Sequence, residues 1–152
     1  MDRIVLAGAV RTPVGKMGGS LSEVPAKELG AIVIKESLRR CGVAPEQVDE
    51  VLFGCVLQAG LGQNVARQAA LAAGLPYTVP AMTLNIVCGS GLQAVNLAAS
   101  RILAGEADVV AAGGCENMSM APFLLEKARF GYRMNDGTLV DEMIRRSGRA
   151  HV

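Results

Sequence analysis

The chain has 152 residues, 51% of them hydrophobic and only 3% aromatic, and its formal net charge is +1. A chain of this length can bury one core, and aliphatic side chains and methionine must fill it because aromatic rings are scarce. The near-neutral charge argues against a broad basic surface, and no apolar run is long enough to cross a bilayer. Neither nucleic acid nor a membrane is therefore expected as a partner.

The cysteine and histidine content argues against a metal site. The four cysteines are widely spaced, without a CxxC pair, and the chain has one histidine. A structural zinc site uses four such ligands at short, characteristic spacings. No secretory signal is recognised, because the apolar run from Ile4 to Val10 is short and no cleavage site follows it. We therefore expect a cytoplasmic protein with free thiols.

Short apolar runs alternate with amphipathic segments along the chain. Buried strands are predicted at Ile4 to Ala9, Val51 to Val56, Ala81 to Val87 and Val109 to Ala112, and helices at Pro25 to about Arg40, Asn64 to Ala73 and Leu92 to Leu103. This order predicts an α/β fold in which helices cover a mostly parallel sheet. Ligands bind such sheets at the carboxyl ends of the strands. At or just past those ends lie Arg11, Gln58, Cys88 and Glu116.

Individual positions carry further predictions. The first helix has one apolar stripe, made of Ala31, Ile34, Leu38 and Cys41. Gly42 is expected to end that helix, and Asn64 to cap the second one. Cys55, inside a buried strand, is predicted to be a core residue. Charged residues become frequent after Pro122, which predicts that the sheet ends near there and a surface excursion begins.

The junction at Cys88 allows three interpretations. The run from Gly89 to Ala94 fits the dinucleotide pattern G-x-G-x-x-A, but no acidic residue ends the next strand to hold a ribose. A nucleophilic Ser90 would need glycine at position 88. A nucleophilic Cys88 fits the partial positive charge of a helix N-terminus, although no partner histidine is visible. From the residues alone, a cysteine that only packs under the turn is an equal alternative.

Four motifs along residues 4 to about 145 resemble motifs of the thiolase family, in the family's order. They are Arg11–Gly15 (RTPVG), Gly62–Gln68 (GQNVARQ), Asn85–Gly91 (NIVCGSG) and Ala112–Ser119 (AGGCENMS). The third resembles the family's nucleophile motif. In the fourth, Cys115 stands where the family more often has methionine or threonine. The pattern is most similar to the biosynthetic acetyl-CoA acetyltransferase branch.

The resemblance implies a layered thiolase-like fold of which this chain holds an incomplete first half. Residues 1–119 would form the N-terminal α/β domain, residues 120–146 the start of the CoA-binding loop region, and residues 147–152 a tail outside the family pattern. Thiolases condense two acyl-CoA units, or cleave a 3-ketoacyl-CoA with CoA, without a resident cofactor. The implied substrate is acyl-CoA, and the implied assembly is a homodimer or homotetramer.

The resemblance also implies roles for single residues. Cys88 would be the nucleophile that holds the acyl group as a thioester, and its backbone N–H would supply part of an oxyanion hole. Arg11 and Arg67 are expected to brace loops or a dimer more than to contact phosphate. Glu116 is expected to support the site through local hydrogen bonds. His151, the only histidine, is in the wrong place for the family's base and receives no role.

Two motifs of the family's second half, C-x-G-G-G and G-H-P-x-G, do not occur in this sequence. We therefore expect the chain to be truncated and impaired or inactive as an enzyme, with a frameshift or premature stop after position 146 as the hypothesis. Three alternatives stay open: a non-catalytic fragment that associates with other thiolase subunits, a 3-ketoacyl-CoA thiolase of fatty-acid breakdown, and a decarboxylating ketosynthase.

Overall fold

The computed structural model describes residues 3–144. Within that range, helices and strands follow each other in the order α1 (Ala26–Cys41), β1 (Glu50–Gly54), α2 (Val65–Ala72), β2 (Ala81–Leu84), α3 (Ser90–Leu103), β3 (Val110–Gly114), β4 (Phe123–Leu124) and β5 (Val140–Asp141). Single 3-10 turns lie at Pro45–Gln47, Met118–Met120 and Ala128–Phe130. The predicted α/β class is confirmed. The third predicted strand ends earlier than expected, at Leu84, and the fourth extends to Gly114.

The main sheet is parallel and has the strand order β2-β1-β3. Val51 pairs with Ala81 on one side of β1 and with Ala111 on the other, and Gly54 pairs with Leu84 and Gly114. Every residue of the central strand β1 is buried. Both faces of that strand are covered by helices, which is why its sequence is a continuous apolar run rather than an alternating one.

The core is divided between the two faces of the sheet. Because side chains alternate along a strand, Val51 and Phe53 face the alanine-rich layer of α1 and α2, whereas Leu52 faces Ala94 and Ala98 of α3. The core is built from aliphatic residues with Phe53 as its buried aromatic ring among the described residues. The small residues of α2 and α3 let these helices lie close to the sheet.

The helix boundaries follow the predicted signals. Gly42 ends α1 with a left-handed φ of 67°, a conformation that costs glycine little. Asn64 caps α2, its side chain accepting a hydrogen bond from the Arg67 N–H. The apolar stripe of α1 is one residue shorter than predicted, because Cys41 is exposed at the end of the helix.

The prediction of a strand at Ile4 to Ala9 is wrong. The segment forms no ladder with any described strand, and Leu6 is 83% exposed. Gly8 has a left-handed φ of 62°, which breaks the alternation of an extended chain. A Cβ at Gly8 would lie 2.7 Å from the Ser37 carbonyl oxygen, so the segment lies against the end of α1. Apolar composition alone could not reveal that a pairing partner is lacking.

The chain beyond β3 is a surface excursion, as predicted. β4 and β5 form a two-stranded antiparallel pair, and the residues between them are almost all exposed. No helix within residues 3–144 is both long and apolar enough to span a membrane. The predicted off-family tail at 147–152, which includes His151, lies outside the described residues.

Candidate active site

A short, tightly held turn connects β2 to α3. The Asn85 side chain donates to the Val56 carbonyl (3.1 Å) and accepts from the Val87 N–H (3.0 Å). The Ser90 hydroxyl accepts from the Ile86 N–H (2.9 Å) and donates to the Val87 carbonyl (2.6 Å). These bonds fix the backbone on both sides of Cys88. Ser90 is only 3% exposed and its hydroxyl is used by the turn, which argues against a serine nucleophile.

Backbone strain is present immediately before the cysteine. Val87 has a φ of 61°, although a β-branched side chain is crowded in the left-handed region. Its side chain is 63% exposed, so packing does not hold it there. The hydrogen bonds of Asn85 and Ser90 to the Val87 backbone hold this conformation instead. Strain of this kind, maintained by surrounding contacts, is concentrated at functional sites in proteins.

Cys88 is exposed and lies two residues before the first residue of α3. Gly89 occupies the N-cap position, and no side chain caps the helix there. The thiol is therefore accessible at the positive end of the helix macrodipole, a setting that favours anionic groups. The predicted strand–turn–helix placement of this cysteine is confirmed, whereas its role as a nucleophile stays a prediction.

The start of α3 approaches β1 closely at Gly54. A Cβ on Gly54 would lie 2.7 Å from the Ser90 Cβ and 2.8 Å from the Gly91 nitrogen. Only glycine allows this approach, and it brings the turn with Cys88 against the carboxyl end of β1. By contrast, a Cβ on Gly91 would meet nothing within 4 Å. The role of Gly54 is not visible in the sequence, because its neighbours predict only a buried strand.

An open groove of about 700 Å³ lies beside Cys88 at the carboxyl edge of the sheet. Its apolar walls include Leu57, Met118 and Met143, and Glu116 is the acidic residue in its lining. The groove therefore brings together two of the four residues predicted at this edge, Cys88 and Glu116. Arg11 and Gln58 are not part of the groove. An apolar cleft with few polar groups is typical of a small-molecule site.

Glu116 connects β3 to the loop that follows β1. Its carboxylate accepts hydrogen bonds from the Val56 N–H (2.8 Å) and the Leu57 N–H (3.2 Å), and lies 3.8 Å from the Cys55 Sγ. Glu116 thus supports the groove wall through local hydrogen bonds, as expected. The pKa of the Cys55 thiol is raised, first by a hydrogen bond with the Cys115 side chain, then by burial and by the nearby negative charge of Glu116. Cys55 is 1% exposed and is a core residue, as predicted.

The two polar residues that follow in the same motif hold a different loop. The Asn117 amide nitrogen lies 2.8–3.1 Å from the carbonyl oxygens of Leu21, Ser22 and Val24. The Ser119 hydroxyl accepts from the Gly18 N–H (3.0 Å). Consecutive residues of this motif therefore tie two distant loops to the end of β3. The sequence displays the motif but not the loop contacts of these two residues, and no role was predicted for them.

The arginines do not converge on Cys88. Arg67 donates to the Tyr77 carbonyl (2.7 Å) and to the Val79 carbonyl, and its guanidinium lies over the Tyr77 ring. It therefore braces the loop before β2, as expected. Arg11 is exposed, and its side chain donates to the Thr12 carbonyl (3.3 Å). Neither arginine lines the groove beside Cys88.

Comparison with known proteins agrees with this architecture. The family model "Thiolase, N-terminal domain" matches residues 4–151. The chain is 60% identical over 143 residues to an acetyl-CoA acetyltransferase of Syntrophomonas wolfei and 62% identical over 144 residues to one of Cupriavidus necator. It is 52% identical over 144 residues to a probable acetyl-CoA acyltransferase of Staphylococcus aureus.

These alignments include 93–95% of this chain, but only 36–37% of each relative. The chain therefore spans little more than a third of the length of the relatives it matches. The family model matches nearly all of the chain's residues. The parallel sheet and the order of the four motifs are consistent with that match. The chain belongs to the thiolase family, of which it contains the N-terminal domain region.

Proposed function

We propose that this chain provides the acyl-accepting cysteine for acyl transfer between coenzyme A thioesters. The observation that carries the proposal is the exposed Cys88 beside an apolar groove, on a turn held in a strained conformation at the start of α3. Two relatives with about 60% identity are acetyl-CoA acetyltransferases by name, which supports acetyl-CoA as the substrate. The reaction would convert two acetyl-CoA to acetoacetyl-CoA and CoA, or run in reverse as thiolysis.

The chemistry needs two steps. The Cys88 sulfur attacks the thioester carbonyl of acetyl-CoA, and CoA leaves as the thiol, so that the acetyl group is carried as a thioester on Cys88. A second acetyl-CoA, deprotonated beside its carbonyl, then attacks this thioester, and the Cys88 thiolate leaves. The Cys88 N–H would stabilise the oxyanion of each tetrahedral intermediate. Coenzyme A thioesters are thus substrates, and no resident cofactor is needed.

The described part of the chain offers few groups near Cys88 that could move protons. Residues 3–144 contain no histidine, and the Glu116 carboxylate is already bonded to two backbone N–H groups. General acid–base catalysis contributes about 10²–10⁴-fold to typical enzymatic rates. We therefore propose that this chain by itself is acylated slowly and does not complete the condensation at an enzymatic rate.

Acylation of the 152-residue chain with acetyl-CoA tests the proposal. We expect intact-mass analysis to show one added acetyl group, which hydroxylamine removes because it is a thioester. Peptide mapping should place it on Cys88, and Cys88→Ala should prevent it. Cys41→Ala is the matched control, since Cys41 is the other exposed cysteine among the described residues. Equal labelling of Cys88→Ala, or labelling that Cys41→Ala prevents, would rule out Cys88 as the acceptor.

A second candidate function is supported by the apolar surface. Large apolar side chains that are exposed near the N-terminal segment and α3 include Val5, Leu6, Val14, Ile86 and Leu92. Contiguous exposed apolar surface marks association sites. The alternative is a non-catalytic subunit that associates with other thiolase chains, whereas the homodimer or homotetramer is the assembly expected of full-length members of the family. An unacylated chain that co-purifies with a full-length thiolase would favour this alternative.

The length of the acyl group that is transferred distinguishes two enzymes of the family. A 3-ketoacyl-CoA thiolase of fatty-acid breakdown would accept longer acyl groups than acetyl. Measuring the acylation rate of Cys88 with acetyl-CoA and with octanoyl-CoA separates the two. A faster reaction with octanoyl-CoA would favour the degradative enzyme, and a faster reaction with acetyl-CoA would favour the acetyltransferase.

A further inference from the structure

Two cysteines lie side by side where β1 and β3 end. The parallel register pairs Gly54 with Gly114, so Cys55 and Cys115 are the next residues on the two neighbouring strands. The Cys115 N–H donates to the Gly54 carbonyl (2.9 Å), and the Cys55 N–H donates to the Leu84 carbonyl of β2 (3.0 Å). The sheet hydrogen bonds therefore continue through both cysteines.

The two thiols also face the same side of the sheet. Val51 and Phe53 of β1 and Ala111 of β3 face the layer formed by α1 and α2. Side chains alternate along each strand, so Cys55, two positions after Phe53, and Cys115, four positions after Ala111, share that face and are lateral neighbours. A Cβ on Gly30 of α1 would lie 3.3 Å from the Cys115 Sγ, which places that thiol on the predicted face.

The spacing of these positions suits a covalent link. Neighbouring strands lie about 4.7–4.9 Å apart. The Cα atoms of disulfide-bonded cysteines are usually about 4.4–6.8 Å apart. Cys115 is half-buried and lines the groove beside Cys88, so a small molecule can reach it, whereas Cys55 is buried behind it. Both thiols are free in this structure.

We propose that Cys55 and Cys115 are an oxidation site that forms a cross-strand disulfide with a small-molecule disulfide, such as oxidised glutathione, as the oxidant. The Cys115 thiol loses its proton to solvent, and the resulting thiolate attacks one sulfur of the oxidant, which leaves a mixed disulfide on Cys115 and releases a thiolate that takes up a proton from solvent. The Cys55 sulfur then attacks the Cys115 sulfur, its proton passing to the Glu116 carboxylate 3.8 Å away and from there to the departing thiolate, which is released as the second thiol. Two protein thiols are oxidised and one small disulfide is reduced to two thiols.

The order of the two attacks follows from the surroundings of each thiol. The raised pKa of Cys55 and its burial make it a poor first nucleophile towards a dissolved reagent. Cys115 is reached through the groove and reacts first. Once the mixed disulfide is formed, the attack by Cys55 is intramolecular and needs only local movement. The pair therefore has one attacking and one resolving thiol.

The test maps the disulfides of the 152-residue chain after exposure to graded ratios of oxidised to reduced glutathione. Free thiols are alkylated in acid-quenched samples, and the chain is digested with trypsin and a glutamate-specific protease, because Glu46 and Glu50 then separate Cys41 from Cys55. We expect one intramolecular link, between Cys55 and Cys115. Cys115→Ser should abolish the link, and Cys41→Ser should retain it.

The same oxidation in concentrated urea is the control for folding. The preference for this pair should be lost there, because only the folded sheet places the two thiols side by side. The proposal is overturned if Cys115 links to Cys88 instead. It is equally overturned if both thiols are alkylated at the most oxidising ratio, or if only mixed disulfides with glutathione accumulate.

Discussion

Replacing Gly54 by alanine tests how the structure positions the start of α3. The added Cβ would lie 2.7 Å from the Ser90 Cβ and 2.8 Å from the Gly91 nitrogen, and most of what it meets is backbone that cannot rotate away. To reach an ordinary contact of 3.4 Å, the start of α3 must move back by about 0.7 Å. Overpacking of this kind costs about 1–3 kcal/mol in well-packed interiors.

Gly91→Ala is the matched control for this substitution. Gly91 lies opposite Gly54 at the start of α3, and the substitution adds the same methyl group. A Cβ on Gly91 would nevertheless meet nothing within 4 Å. Alanine is also favoured over glycine in helices by about 1 kcal/mol, so this variant should be as stable as the parent chain or slightly more stable. The structure has room for the new atom at Gly91 and not at Gly54.

Thermal and urea unfolding measure the difference directly. For a chain of this size, each kcal/mol shifts the melting temperature by roughly 2–4 °C, so Gly54→Ala should melt several degrees below Gly91→Ala. The rate at which iodoacetamide alkylates Cys88 should also change in Gly54→Ala, because the turn is carried by the displaced helix start. If Gly54→Ala unfolds at or above the melting temperature of Gly91→Ala, the close approach of α3 to β1 is refuted.

Two further predictions concern Val87 and Glu36. Val87→Gly should raise the free energy of unfolding by about 0.5–1 kcal/mol, because relief of about 1–2 kcal/mol of left-handed strain exceeds the entropy cost of glycine. Val14→Gly, at a valine that is 86% exposed and not in the left-handed region, should not stabilise the chain, and an equal gain in both variants would contradict the strain. Hydrogen bonds from Arg39 and Arg40 lower the pKa of Glu36 to about 2 from 4.5. The stabilisation from these ion pairs is therefore complete above pH 4.5 and is lost as the pH falls towards 2. Carboxyl NMR titration should show this midpoint, and Arg39→Ala should raise it; a parent midpoint near 4.5 would contradict the ion pairs.

Much of the fold could be predicted because local signals and tertiary structure agree. The apolar stripe of α1, the glycine at position 42 and the cap at Asn64 each act within a few residues, so the sequence displays them directly. The strand at Ile4 to Ala9 was predicted from the same kind of signal and is absent. A strand also needs a neighbour to pair with, and the described chain offers this segment none.

The candidate site was predictable only in part. The strand–turn–helix junction at Cys88 follows from local apolar spacing and glycines, and the motif order identified the family. The hydrogen bonds of Glu116 and Asn117 were beyond prediction, because they join residues about 60 to 95 positions apart in the chain. No periodicity in a sequence encodes which loops meet at the end of a sheet.

The sequence by itself therefore determined the order of the three helices and the three strands of the main sheet, the aliphatic core and the place of Cys88 at a helix start. These features are visible in the spacing of apolar residues within short windows of the sequence. Only the tertiary structure decided that Gly54 must lack a side chain, that Val87 is strained and that Cys55 and Cys115 are neighbours. Each of these features depends on the strand register and close packing of segments that are distant in the chain. The spatial distances between such segments are fixed only when the sheet and its helices assemble.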